Sequence, residues 1–428
     1  MKIAIIGGGF TGLTAALRLA KEGHLVTLFE KEDQLGGLAS SFKKNGWDWP
    51  LEHYFHHYFS SDQAVKRLVQ ELHLEKKLSY FKPKTSVYLE GKVSRFDSFS
   101  SLLFFPKLKL TDKLRTGLTI LFLKFNPFWQ PLEKIPAATF IQKTMGKETY
   151  RLIWQPLLQS KFGALANQIP ASWFWTRIKK RSFALGYLNG GTAALLSALT
   201  EEIKKKQGQI LLGQAVSQIK KAPDGFVLYF QSQPYPTKFE KVMATVPPAT
   251  LAKIASELPL TEKASLQALK SLGSLCLILA LKKSLLTDGT YWLNVNESHF
   301  PFVAVVEHTN LIDKKHYGQN VLLYIGGYYP AQHPFFRQNK AALFRKFLPY
   351  LQKINPSFDF NQNLNEYWLF KNEYSQPIVS ANYSQNRPLV KTSLPGLYWA
   401  SLHHIYPEDR GVNSAILLGE KLANEIVS

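Results

Sequence analysis

Gly7, Gly9 and Gly12 stand at the spacing that lets a backbone cradle phosphate, and Glu30 follows the last of them by eighteen positions. In such a cradle the first glycine makes a tight turn, the second admits a pyrophosphate to the backbone, and the third lets a helix pack close to a strand. Phosphates suit a helix N-terminus, where unpaired N–H groups and the dipole favour negative charge. Phe10 and Thr11 lie in that same first turn. A carboxylate at Glu30 would accept both ribose hydroxyls of an adenosine, and it would repel a 2′-phosphate, which argues against NADP. A second bare pair, Gly36-Gly37, comes six residues after Glu30, with Lys31 and Leu38 flanking the connection. A cofactor of NAD size has no need of that second close approach, whereas FAD must thread its ribityl chain and ring system past the first unit.

Histidines and aromatics supply the other candidate chemistry. The segment Leu51-Glu52-His53-Tyr54-Phe55-His56-His57-Tyr58-Phe59 follows the Gly-Gly pair closely, so it should pass near the flavin ring. Glu307-His308-Thr309-Asn310 ends an expected strand, Tyr374 precedes the return to the nucleotide-binding part, and His404 precedes the last loop. His56, His57, His308, Tyr374 and His404 are therefore the candidates for lining one substrate cavity. None of these spacings matches a helical pair of metal-binding histidines with a general base, so no metal site is expected.

The glycines need a strand before them and a helix after them. Lys2-Ile3-Ala4-Ile5-Ile6 is apolar and β-branched, Leu13 to Lys21 has helical character, and Leu25-Val26-Thr27-Leu28-Phe29 reads as a second strand ending on Glu30. Strand, glycine turn, helix, strand and acid together form a dinucleotide-binding βαβ unit. Further along, Gly190-Gly191 precedes a helix from Thr192 to Lys206, followed by strands at Gln209–Leu212 and Ala215–Ile219. Lys241–Val246 and Gly396–Ser401 read as strands, and Pro407-Glu408-Asp409-Arg410-Gly411-Val412-Asn413 leads into a closing helix, Ser414 to Ile426.

These blocks, in this order, resemble the FAD-dependent amine oxidase, protoporphyrinogen oxidase and phytoene desaturase family. The resemblance implies a Rossmann-type α/β domain holding FAD, with an inserted α+β substrate lobe of mixed sheet and helices. It implies that Val216 meets the adenine through its backbone, and that Arg410, Gly411 and Val412 hold the ribityl and pyrimidine edge of the flavin. It also implies an oxidoreductase in which a hydride passes from a substrate C–H to flavin N5, the protein supplying orientation, dryness and polarisation. Leu38 stands where the family often has arginine, and Ser401 where glycine is common, so the role of that arginine does not carry over. An aromatic-rich pocket suits an apolar, lipid-like or planar substrate. For an amine or alcohol substrate a base is needed, and a histidine near its ordinary pKa would serve. The His53–Phe59 segment is also similar to one in UDP-galactopyranose mutase, an isomerase that needs arginines for a diphosphate. Arg177, Arg181, Arg387 and Arg410 are the candidates for that alternative, and a flavin-binding scaffold without turnover is the other.

A chain of 428 residues is too long for one core. The FAD domain should be discontinuous, at residues 1–60, 185–270 and 380–428. Residues 61–184 then form a mostly helical insertion after a short hairpin (Ser86–Leu89 and Lys92-Val93). Residues 271–379 form the substrate-domain sheet, from runs at Leu275–Leu281, Tyr291–Val295, Phe302–Val306 and Val321–Ile325, with a helix from Gln338 to Ile354 after them. The single cysteine, Cys276, excludes intrachain disulfides and reads as a buried strand residue. The apolar start reaches its glycine turn too early for a secretion signal, and no run is long enough to span a bilayer, so a cytoplasmic location is expected.

The net charge of +21 asks for a partner. Between Lys76 and Lys124 eleven basic residues face three acids, and Leu114, Leu118, Leu121, Phe122 and Phe125 recur at helical spacing within the same stretch. A basic helix with such a face can lie on anionic lipid, at the inner face of a membrane, or can pack on the second lobe. Nucleic acid is not an expected partner, because no recognised binding fold is present.

Overall fold

In the computed structural model, which describes residues 1–232 and 235–427, five parallel strands form a central sheet. Their order is Gln209–Leu211, Leu25–Phe29, Lys2–Ile6, Lys241–Ala244 and Leu397–Trp399. The middle strand is apolar throughout because it is covered on both faces. Ile3 and Ile5 join one core with Leu13, Leu17, Leu195, Leu199, Ile416 and Leu422, from the helices Phe10–Lys21, Gly191–Lys205 and Val412–Val427. Ala4 and Ile6 point the other way, as strand alternation requires. They meet Phe226 and Leu228 of a three-stranded antiparallel sheet (Val216–Ala222, Gly225–Phe230, Thr237–Phe239) and the helix Pro248–Ile254. This is the α/β arrangement expected, except that the first helix starts at Phe10, directly behind the glycines.

A seven-stranded mixed sheet makes the second large element. Its order is Leu364–Pro377, Ser271–Leu281, Val321–Tyr329, Ala304–Glu307, Thr290–Val295, Lys84–Leu89 and Lys92–Arg95. Lys84–Leu89 runs parallel to Thr290–Val295, so a hairpin from the first insertion completes the sheet of the second. The 14-residue strand Leu364–Pro377 has one apolar run, Tyr367-Trp368-Leu369-Phe370, flanked by polar residues (Asn365, Glu366, Lys371, Asn372, Glu373) that its place at the sheet edge tolerates. Along Ser271–Leu281, Leu275, Leu277 and Leu279 pack with Phe347 and Leu351 of the helix Lys340–Ile354. The alternate residues Cys276, Ile278 and Ala280 face Trp47, Leu51, Tyr54 and Phe55 beyond the Gly-Gly loop. One face of this sheet thus holds its own helix, and the other roofs the segment that carries the histidines.

The helices of residues 99–180 enclose a third core, built around Leu123, Ile141, Phe162 and Phe174. Within it the helix Leu110–Phe125 is inverted. Its buried face is Thr116, Gly117, Thr119 and Leu123, while Leu110, Leu114, Leu118, Leu121, Phe122 and Phe125 are all more than half exposed. No helix among the described residues is long and apolar enough to cross a membrane.

Candidate cofactor and substrate site

At Gly7 the chain leaves its strand with φ of +110° and turns straight into the helix Phe10–Lys21. No side chain caps that helix, so its first N–H groups are free to meet an anion. A Cβ on Gly12 would stand 2.0 Å from the Gly7 carbonyl oxygen, which no side chain tolerates, whereas a Cβ on Gly9 would meet nothing within 4 Å. The helix therefore packs against the turn at Gly12 and leaves open space at Gly9, the cradle a pyrophosphate needs. The second glycine pair closes its side. Gly36 donates its N–H to the Gly8 carbonyl at 2.9 Å and forms a bridge to Gly9, and Gly37, Leu38 and Ala39 make one short turn behind it.

Glu30 is buried, and its carboxylate accepts the N–H groups of Gly8 at 2.6 Å and Glu32 at 3.0 Å. Gln214 and Gly213 donate to the carbonyls of Glu30 and Glu32, which lays the approach to Val216 alongside the acid. Lys31 is exposed and pairs with Glu32 at 3.1 Å. Phe10, Thr11, Gly12, Glu30 and Val216 are thus arrayed around one end of the sheet. At the last strand Ser401 folds onto His403, and the loop runs through Asp409, Arg410 and Gly411 into Val412. Asn413, in the first turn of that helix, accepts from the N–H groups of Ala64 and Val65.

The histidines divide into two groups. His56 donates its Nδ1–H to the Tyr54 carbonyl (2.7 Å), and His57 meets the Tyr291 hydroxyl at 3.3 Å with Trp292 and Phe59 around it. The charge of Arg410 helps lower His56, and that of Arg181 helps lower His57. His308 instead lies in a buried knot of phenols, 2.8 Å from the Tyr317 hydroxyl. Glu52, at the centre of that knot, accepts from the Tyr187 hydroxyl (2.9 Å) and the Thr192 N–H (2.8 Å), and burial raises its carboxyl above the usual range. His404 is held at both nitrogens by backbone, at Ser401 N–H and the Leu389 carbonyl. Tyr374 lies beside His403, its ring centre 6.0 Å away. Burial pulls His56 and His404 down to about 4, and His57 and His308 to about 3, so none is near its ordinary pKa. All four imidazoles are neutral at pH 7 and available as proton acceptors only weakly.

Around the last loop the structure brings together cations that the sequence scatters. Lys161 is buried and sits 2.7 Å from Asp409, with Arg177 at 3.9 Å from the same carboxylate. Arg410 donates to the Tyr328 hydroxyl and lies over that ring. Burial would raise Asp409, but Lys161, then Arg177 and Arg410, hold it down to about 2. Burial likewise pulls Lys161 down to about 7, with Arg177 and Arg410 adding to the effect. Of the four candidate arginines Arg177 and Arg410 act on Asp409, Arg181 is exposed and makes no side-chain hydrogen bond or ion pair among the described residues, and Arg387 stands apart at the Tyr406 carbonyl. Lys161 carries no sequence signal: it is one lysine on a short helix, 248 positions from its partner. Among the described residues no three His, Cys, Asp or Glu side chains gather as a metal site.

A family model described as flavin containing amine oxidoreductase matches residues 10–427. Over 51 residues the chain is 55% identical to the 4,4′-diapophytoene desaturase (4,4′-diaponeurosporene-forming) of Staphylococcus haemolyticus, a match covering 12% of this chain and 10% of that enzyme. A protein described as a protoporphyrinogen oxidase, from Exiguobacterium sp. 255-15, has a crystal structure that superposes with a TM-score of 0.77 at 16% identity, covering 99% of this chain and 98% of that one. Reduced UDP-galactopyranose mutase superposes with a TM-score of 0.76 at 15% identity, over 100% and 95% of the two chains. At such identities the superpositions establish the fold.

Proposed function

The chain belongs to the flavin-containing amine oxidoreductase family, with FAD as cofactor, and from that premise we propose that it oxidises an apolar, lipid-like or planar molecule taken up at a membrane surface. The single observation that carries this reading is the inverted helix Leu110–Phe125. It buries threonines and a glycine and turns six large apolar side chains outward. Such a patch exceeds what soluble proteins usually leave exposed, and lysines and arginines surround it. Phe99, Leu103, Phe104 and Phe128, on either side of the helix, are exposed as well. The helix is tied inward at its C-terminal end, where Trp175 donates to the Asn126 carbonyl and Lys124 to the Arg181 carbonyl.

When bound, FAD supplies a two-electron acceptor for a substrate hydride. Gly9 and the uncapped turn after it would hold the phosphates, Glu30 the ribose, and the Arg410–Val412 turn the flavin's polar edge. Tyr54, Phe55, His57, Phe59 and Trp292 wall the substrate space with aromatic surface, which excludes water and accepts an apolar body. His56 and His57, held neutral, orient the substrate by hydrogen bonds; His308 backs that wall through Tyr324, whereas Tyr374 and His404 pack against His403 and Trp399 away from it. The short match to desaturases, named for a long apolar polyene, favours the same substrate class. The test is anaerobic incubation of the FAD-loaded protein with a lipid extract. Bleaching of the flavin supports oxidation. Conversion of a UDP-sugar only after dithionite reduction supports the isomerase alternative instead, and absence of both leaves a scaffold.

A further inference from the structure

We propose that the helix Ala171–Lys180 positions the turn that receives the flavin's polar edge, with Ser172 and Thr176 as positioning residues, and that it links that turn to the inverted helix Leu110–Phe125. The proposal rests on the reading that Arg410, Gly411 and Val412 meet the flavin. Between Ile405 and Gly411 the chain has no helix or strand of its own to fix its course. Instead, four consecutive residues each take a side-chain partner from the helical insertion. Ser172 sits 2.6 Å from the Tyr406 hydroxyl, Thr176 donates to the Pro407 carbonyl at 2.7 Å, and Lys180 pairs with Glu408 at 3.1 Å. Asp409 takes Lys161 at 2.7 Å, from the neighbouring helix Gln155–Phe162, with Arg177 at 3.9 Å. Asp409 passes that restraint on. Its carboxylate accepts the Arg410 N–H at 3.0 Å, and its carbonyl accepts the Ser414 hydroxyl at 2.9 Å, in the first turn of the closing helix.

Ser172, Thr176 and Lys180 follow one another at i, i+4 and i+8, so they share one face of their helix. Ser172 and Thr176 are buried there, where a hydroxyl is kept by its hydrogen bond. A second face carries Trp175 and Lys179, which donate to the Asn126 carbonyl at 2.9 and 3.1 Å, just past the end of the inverted helix. Lys124, within the inverted helix, donates in turn to the carbonyls of Lys179 and Arg181 at 3.2 and 2.6 Å. A cation suits that place, because the last carbonyls of a helix lack partners within it and the dipole there is negative. One ten-residue helix thus has the flavin turn on one side and the outward-facing apolar helix on the other. Rigid elements of this kind carry coupling between separated sites, and here both ends of the connection are hydrogen-bonded. Thr176 and Ser172 touch neither flavin nor substrate in this arrangement; they act through the loop they hold.

The test uses the FAD-loaded protein. It reads FAD affinity by equilibrium dialysis, the visible circular dichroism of the flavin at saturating FAD, and the melting temperature. Thr176→Val and Ser172→Ala should each weaken FAD by about threefold to tenfold, the worth of one neutral hydrogen bond, and should change the dichroism. Thr176→Ser, which keeps the hydroxyl, should restore both. Lys124→Met, on the far side of the helix, should move both readings in the same direction by a smaller factor. A lower melting temperature with FAD affinity and dichroism unchanged in Thr176→Val and Ser172→Ala would make the helix a structural support only and overturn the proposal. Lys124→Met without effect on either flavin reading would overturn the link to the inverted helix. If Thr176→Val does not fold, Lys180→Gln, at the half-exposed end of the same face, decides in its place. Arg410→Gln, within the turn itself, separates the two levels: if it too leaves the flavin unchanged, the turn is not at the flavin and the underlying reading fails.

Discussion

Replacing Leu118, Phe122 and Phe125 with serine should release the protein from lipid without unfolding it. These residues are 68%, 54% and 77% exposed. Taking roughly 200 Å² for a fully exposed side chain of this size, they present about 400 Å² of apolar surface. At about 25 cal/mol per Å², complete immersion would contribute about 10 kcal/mol. A helix lying in the headgroup boundary immerses about half of its exposed face, so about 5 kcal/mol is at stake, between three and four orders of magnitude in partitioning. Exposed sites of this kind cost about 0.5 kcal/mol or less each in stability. Flotation with anionic and neutral vesicles measures the partitioning, and thermal melting measures the stability. Anionic vesicles should hold the parent more strongly, and 1 M salt, which shortens electrostatic reach to about 3 Å, should remove only the charge-dependent part. Leu123, fully buried on the same helix, is the control. Leu123→Ala should cost about 2–5 kcal/mol of stability while the folded fraction still floats. Unchanged flotation of the triple variant, or its unfolding, would refute the reasoning.

Glu30→Ala should lower FAD retention, since hydrogen bonds to a charged acceptor contribute about 1.5–3 kcal/mol each; equilibrium dialysis that finds equal affinity would count against the ribose assignment. Gly12→Ala should abolish FAD binding, because its Cβ would press the Gly7 carbonyl at 2.0 Å and push the helix off the turn; a yellow purified variant would contradict this. Acid should destabilise the protein between about pH 6.5 and 4. Six histidines (His53, His56, His57, His308, His403, His404) have folded pKa values lowered by burial to about 3 or 4. The unfolded chain binds more protons than the fold across that window, so stability is present above it and lost as pH falls. Melting temperatures taken from pH 7 to pH 5 should drop steeply, and a flat profile would show that these rings are charged in the fold.

The cofactor end was legible because its requirements are local. A strand, a bare turn and an acid lie within thirty residues, and each residue type answers a backbone need at its own position. The inverted helix was legible only as a periodicity. Apolar spacing announces a face without saying whether protein or lipid covers it, and the opposite face of Thr116, Gly117 and Thr119 gives no apolar signal of its own. The cluster around Asp409 was legible only in part, since Arg177 and Arg410 were candidates from the sequence whereas Lys161 lies on another helix and meets Asp409 only in the folded chain. The edge strand Leu364–Pro377 escaped for a different reason: its apolar run, Tyr367 to Phe370, is only four residues long and is flanked by polar residues that a sheet edge tolerates, so most of the strand gives no apolar signal. The histidines were legible as aromatic-segment residues, but their burial, which removes them from the physiological titration range, follows from packing against Tyr291, Trp292 and Tyr317 far along the chain.

The pairing order of the central sheet sets a timetable for biosynthesis. Lys2–Ile6 can zip to Leu25–Phe29 as soon as both have left the ribosome, but its other edge waits for Lys241–Ala244, and that strand waits in turn for Leu397–Trp399. Closing loops of that length is slow, and unpaired strand edges invite misassociation in the interval. The nascent chain therefore displays an open β-edge and a greasy amphipathic helix through most of translation.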